Sequence, residues 1–134
     1  MSGDLTAQLM ARWEQFYPIV NTLMQCESVT LGKAAPSNEH GIYILFNELQ
    51  ELSYVGKAVG TKGLCDRLVS KHISGDDSHA VQRAYLSRFP DRSERRQFIK
   101  ANVQAKWLNL ADDTLIADLE RLLIWLFHPA WNRQ

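Results

Sequence analysis

Two short apolar runs, GIYILF at residues 41–46 and SYVGKA at residues 53–58, decide most of what this chain can fold into. Both are rich in β-branched and aromatic residues and too short for a core helix, so they read as strands. The polar stretch at residues 47–52 reads as the hairpin connection between them. A bare hairpin cannot bury its own apolar faces, and the chain that follows supplies the cover. After Gly60 and Gly63, the residues Leu64, Leu68, Val69 and Ile73 recur at helical spacing. Residues 78–89 and 93–102 read as two helices separated by Pro90, the second capped by Ser93. Residues 103–110 alternate as a third strand. Residues 114–127, capped by Asp112 or Asp113 and stopped by Pro129, form a last amphipathic helix. The pattern predicts an α+β fold, a small three-stranded, mainly antiparallel sheet flanked by helices.

Upstream, Leu5, Leu9, Trp13 and Phe16 mark an amphipathic helix that Pro18 ends or kinks, and Ile19, Val20, Leu23 and Met24 continue an apolar face to about Gln25. Residues 28–31 are strand-like, and residues 32–39 form a loop by their turn chemistry. Residues 1–38 are therefore expected to be a helical extension, open to a homodimer contact, and residues 39–134 the main domain. The chain's 134 residues suit one compact unit, and 46% hydrophobic content provides a core.

The chain holds 15 basic and 15 acidic residues, which excludes binding by bulk charge alone. The distribution is uneven. Residues 57–106 carry eleven basic against five acidic residues, net +6, while both flanks are acidic. The middle third, including Arg92, Arg95 and Arg96, is the expected phosphate-facing surface. No apolar run approaches a membrane span, and no signal pattern opens the chain, so a cytoplasmic protein with no membrane partner is expected. Cys26 and Cys65 are too few and too far apart for a disulfide framework or a zinc site, and they read as reduced thiols. His40, His79 and His128 have no metal-ligand spacing and read as surface or capping residues. The four tryptophans read as core and hinge packing.

In physical terms, two strand tyrosines followed by a lysine, a helix arginine and a lone helix glutamate suit phosphodiester cleavage. A phenol can take a proton from water, cations offset phosphate charge, and a carboxylate holds a hard divalent ion.

The same residues resemble the GIY-YIG nuclease family. Gly41-Ile42-Tyr43 is followed after ten residues by Tyr54-Val55-Gly56, then by Arg67 in the next helix and by Glu120 in the closing LERLLIWLFHPAWN stretch. The resemblance covers residues 39–134. It implies a metal-dependent endonuclease acting on nucleic acid, DNA ahead of RNA. Tyr43 would then be the general base, and Tyr54 would position phosphate or water. Gly41 and Gly56 would allow close backbone approach, and Arg67 would contact the scissile phosphate. Glu120 would hold Mg²⁺ or Mn²⁺, and Asn132 would help position the phosphate. The chain departs from the pattern after Arg67, where the family often carries a His or Tyr at i+4 and this chain has Lys71, with His72 at i+5. At about 100° per residue His72 is turned some 140° from Arg67, so Lys57, expected on the same side as Tyr43, ranks ahead of it as the partner of the base. The alternatives are a non-catalytic nucleic-acid-binding or interaction module on the same fold, and a nuclease directed at RNA.

Overall fold

The computed structural model describes residues 2–76 and 79–132. Its elements are α1 (Ser2–Gln25), β1 (Val29–Thr30), β2 (Gly41–Phe46), β3 (Leu52–Ala58), a π-helical segment (Cys65–Ser70) running into α2 (Lys71–Ser74), α3 (Ala80–Tyr85), α4 (Arg92–Asn102), β4 (Gln104–Asn109) and α5 (Asp113–Phe127). The fold is α+β, with a four-stranded antiparallel sheet in the order β1-β4-β2-β3. The fourth strand is the correction to three. The two residues of β1 pair with β4, and the backbone continues with Leu31 N donating to the Val103 carbonyl at 2.8 Å.

Strand alternation divides the core into two layers. Tyr43, Leu45 and Ala58 on one face pack against Leu64, Leu68, Ile73, Val81, Tyr85 and Ile99 from the helices between β3 and β4. Ile42, Ile44 and Val55 on the other face pack against Leu23 of α1 and Leu119 and Leu123 of α5. Burying both faces of β2 explains why GIYILF is apolar throughout instead of alternating. The segment before residue 39 shares this architecture, since Leu23 and Leu31 are both about 1% exposed.

Three boundaries differ from the sequence expectation. Helix α1 runs through Pro18, where the backbone bond lost is the one to the carbonyl of exposed Glu14, which water can satisfy. The cap of α4 is Asp91, not Ser93, because the Asp91 carboxylate accepts from Glu94 N at 3.0 Å. Helix α3 is shorter than expected, and the predicted start at Ser78 lies outside the described residues. Two tryptophans also leave the expected core: Trp13 and Trp125 are 58% and 69% exposed, whereas Trp107 and Trp131 pack against it. Cys26 and Cys65 are free thiols.

Candidate active site

The antiparallel register sets Tyr43 of β2 opposite Gly56 of β3. Position 56 has to be glycine: the Tyr43 ring lies across it, and a Cβ there would overlap Cζ and the hydroxyl. Gly41 is equally constrained, by the Leu108 carbonyl of β4. Tyr54, two residues before Gly56, lies on the same face, and its ring centroid is 6.1 Å from that of Tyr43.

His72 closes this cluster. Its Nε2 is 2.8 Å from the Tyr43 hydroxyl, and its ring meets Tyr43 and Tyr54 edge-on, with centroids 5.6 and 5.1 Å away. The expected 140° offset from Arg67 fails because the intervening turn is π-helical. Lys71 N bonds to the Asp66 carbonyl, an i→i+5 link, so residues five apart come to stand over one another. The Tyr43 hydroxyl accordingly meets both ends of one such step, His72 Nε2 and, at 3.5 Å, the Arg67 carbonyl.

Lys57 is corrected in the opposite sense. It pairs with Ile42 in the register, one residue out of phase with Gly56, so it lies on the sheet face away from Tyr43. There it meets α5, and its ammonium is 3.3 Å from the Glu120 carboxylate. Because β3 is the sheet's edge, Glu120 remains near enough to the other face to raise the pKa of both tyrosines.

Burial above all, together with Tyr54, pushes the Tyr43 phenol well above its ordinary range, while Arg67 opposes the shift. Tyr54 is raised as well, by burial and then by Glu120. Burial, with smaller contributions from His79 and Arg67, lowers His72 to about 3. At neutral pH the cluster is therefore a protonated phenol against a neutral imidazole, and His72 Nδ1 is buried without a hydrogen-bond partner.

Two expected binding residues have structural partners instead. Asn132 accepts from Val55 N and donates to the Val55 carbonyl, both at 2.9 Å, and Trp131 N donates to the Ser53 carbonyl at 2.8 Å. The Asn132 amide is thus used up in covering the outer edge of β3. Arg95 is 1% exposed and donates to Gln82 Oε1 at 2.7 Å and to the Phe89 carbonyl at 2.9 Å, so it cannot meet a phosphate. Arg92 and Arg96 do reach the surface. Gln82, which the sequence reading passed over, is fully buried and donates to the carbonyls of His72 and Ile73 at 3.0 and 2.7 Å. A polar residue between Val81 and Tyr85 on an apolar helix face was the available signal.

Among the described residues no three His, Cys, Asp or Glu side chains gather as a metal cage, and no helix is long and apolar enough to cross a membrane. Glu120, whose side chain is 21% exposed, is the carboxylate beside the tyrosines. An ion held there would take one protein oxygen and complete its shell with water and phosphate oxygens, which suits Mg²⁺ or Mn²⁺ and not a zinc site.

No protein-family model matches the chain, and no curated protein does. Among solved structures, a point mutant of EndoII from bacteriophage T4 is similar, with a TM-score of 0.46 and 18% identity over 87% of this chain and 98% of that one.

Proposed function

We propose that the chain is a metal-dependent endonuclease of the GIY-YIG type, hydrolysing phosphodiester bonds in nucleic acid, with DNA as its substrate. The observation that carries this reading is the buried Tyr43–His72 hydrogen bond, set in a cluster that also holds Tyr54, Arg67 and Glu120.

In this reading Tyr43 takes a proton from the attacking water. It can do so only after passing its own proton to His72 Nε2, 2.8 Å away. Burial keeps the imidazole neutral, so Nε2 can accept the phenol's hydrogen bond, but the same burial lowers its basicity and raises the phenol's pKa, so the transfer is uphill and has to be driven by the charge that substrate and ion bring to the site. The phenolate and imidazolium so formed are adjacent and of opposite charge, so each offsets part of the other's burial cost. Arg67 faces the developing charge on the phosphate with an exposed, permanently charged fork. Tyr54 holds its hydroxyl beside that of Tyr43 to orient water or a phosphate oxygen. Glu120 would hold a divalent ion, which when bound would supply positive charge against the phosphate. Lys57 neutralises the Glu120 carboxylate from the opposite side.

The test is incubation of the protein with end-labelled double-stranded DNA, single-stranded DNA and RNA, with and without Mg²⁺ or Mn²⁺. Ion-dependent internal cleavage of DNA is expected. Stable binding without cleavage under every condition would leave the non-catalytic module as the correct reading.

A further inference from the structure

Exposed and half-exposed cations lead away from the tyrosine cluster. Arg67 is exposed on the π-helical segment, and Lys71 follows it into α2. Three residues on, the Ser74 carbonyl accepts from Arg96 Nη2 at 3.2 Å, which seats that guanidinium against the end of α2, two residues past His72. On α4 Arg92 and Lys100 lie one turn to either side of Arg96. The three share an open groove with Asp91, Ser93 and Gln97. Like charges at i, i+4 and i+8 repel by about 0.2–0.5 kcal/mol per pair, and three cations line the groove against the single carboxylate of Asp91. The packing residue of this turn, Arg95, points inward, whereas Arg92, Arg96 and Lys100 line the groove.

We propose that Arg67, Lys71, Arg96, Arg92 and Lys100 form a track for the backbone of duplex DNA, holding phosphates that lead away from the scissile bond at Tyr43 and His72. The proposal rests on the nuclease reading of the tyrosine site. The distance from residue 92 to 100 is roughly 12 Å at 1.5 Å per residue, which matches three or four phosphates of one strand at about 3.4 Å each along the axis. The occupant is double-stranded because, among the described residues, no exposed aromatic side chain lines the track. The exposed aromatics Trp13, Tyr17, Trp125 and Phe127 all lie on α1 and α5, whereas single strands are held by bases stacked on aromatic rings.

The experiment measures anisotropy of a fluorescent 20-base-pair DNA duplex against salt concentration, with divalent ions chelated so that binding is read without cleavage. Arg92→Gln/Arg96→Gln/Lys100→Gln is compared with wild type, and Arg92→Gln/Lys100→Gln repeats the comparison with the Arg96–Ser74 contact intact. The slope of log K against log salt is expected to fall by about 2.7 in the triple variant and by about 1.8 in the double, since each phosphate contact contributes about 0.9. Wild-type binding with an unchanged slope in both variants overturns the track and leaves the nuclease reading standing. Tighter binding of a single strand or an RNA duplex of the same length overturns the assignment to duplex DNA. No binding of any nucleic acid by the wild type overturns both.

Discussion

The Tyr43 hydroxyl stands 2.8 Å from Nε2 of His72 and 3.5 Å from the carbonyl of Arg67, so one phenol spans a π-helical step between residues five apart. If the phenol is the base and the imidazole its proton acceptor, Tyr43→Phe should lower single-turnover cleavage by about 10² to 10⁴ with little change in melting temperature. His72→Ala should fall within about tenfold of the same loss. Cleavage time courses at saturating substrate decide this, and a His72→Ala enzyme that retains wild-type turnover would remove the imidazole from the reaction.

Glu120 and Lys57 form a partly exposed ion pair, screened by solvent and of little consequence for stability. Its interest lies in competition, since an ammonium 3.3 Å from the carboxylate offsets the negative charge that would draw a divalent ion. Glu120→Gln should reduce Mn²⁺-dependent cleavage by well over tenfold while leaving binding of DNA nearly intact. Lys57→Met should lower the Mn²⁺ concentration needed for half-maximal rate. Titrating Mn²⁺ against initial rate checks both, and an unchanged midpoint in Lys57→Met would show that the ammonium does not compete.

The hairpin was legible because its signals are local. GIYILF coincides with β2, and the spacing to Tyr54-Val55-Gly56 fixes a register that puts both tyrosines on one face. Arg67 and Glu120 stand out in the sequence because nothing in their helices calls for them in packing, and the structure brings both near the two tyrosines. The side of the sheet taken by Lys57 was also decided by period-two alternation, which sets it opposite Ile42 and not with Tyr43. His72 was misplaced for a different reason. A projection at a constant angle per residue assumes α-helical winding, and no residue between Cys65 and Ser70 announces the wider turn. Arg95 was misread because composition does not distinguish an exposed arginine from one buried on backbone carbonyls and Gln82.

Acid should test His72 without any substrate. Its folded pKa is about 3 against 6.5 for the free side chain, so between those values the unfolded chain binds the proton and the folded chain does not. Stability from this residue is therefore fully present above pH 6.5 and falls as pH drops toward 3, by about 1.4 kcal/mol per pH unit. Urea unfolding of wild type and His72→Phe at pH 7 and pH 4.5 should show the wild type losing about 2–3 kcal/mol more than the variant over that interval. Equal losses would mean that His72 titrates alike in the folded and unfolded chain.

Arg95 and the exposed arginines of α4 should separate cleanly. The Arg95 guanidinium holds Gln82, and Gln82 holds the carbonyls of His72 and Ile73, so the chain of bonds runs from α4 through α3 to the residue that meets Tyr43. Arg95→Met removes a buried charge but strands the Gln82 oxygen and the Phe89 carbonyl it satisfied, at a cost of about 3 kcal/mol, the scale of breaking a buried hydrogen-bonded network. Its melting temperature should fall by several degrees and turnover should fall with the loosened His72. The salt slope of DNA binding, measured below the melting transition, should stay at the wild-type value because no phosphate contact is lost. Arg92→Gln should do the reverse, flattening the slope while leaving melting and saturated turnover nearly unchanged. A salt slope that falls as much in Arg95→Met as in Arg92→Gln would show that the buried arginine reaches the substrate after all.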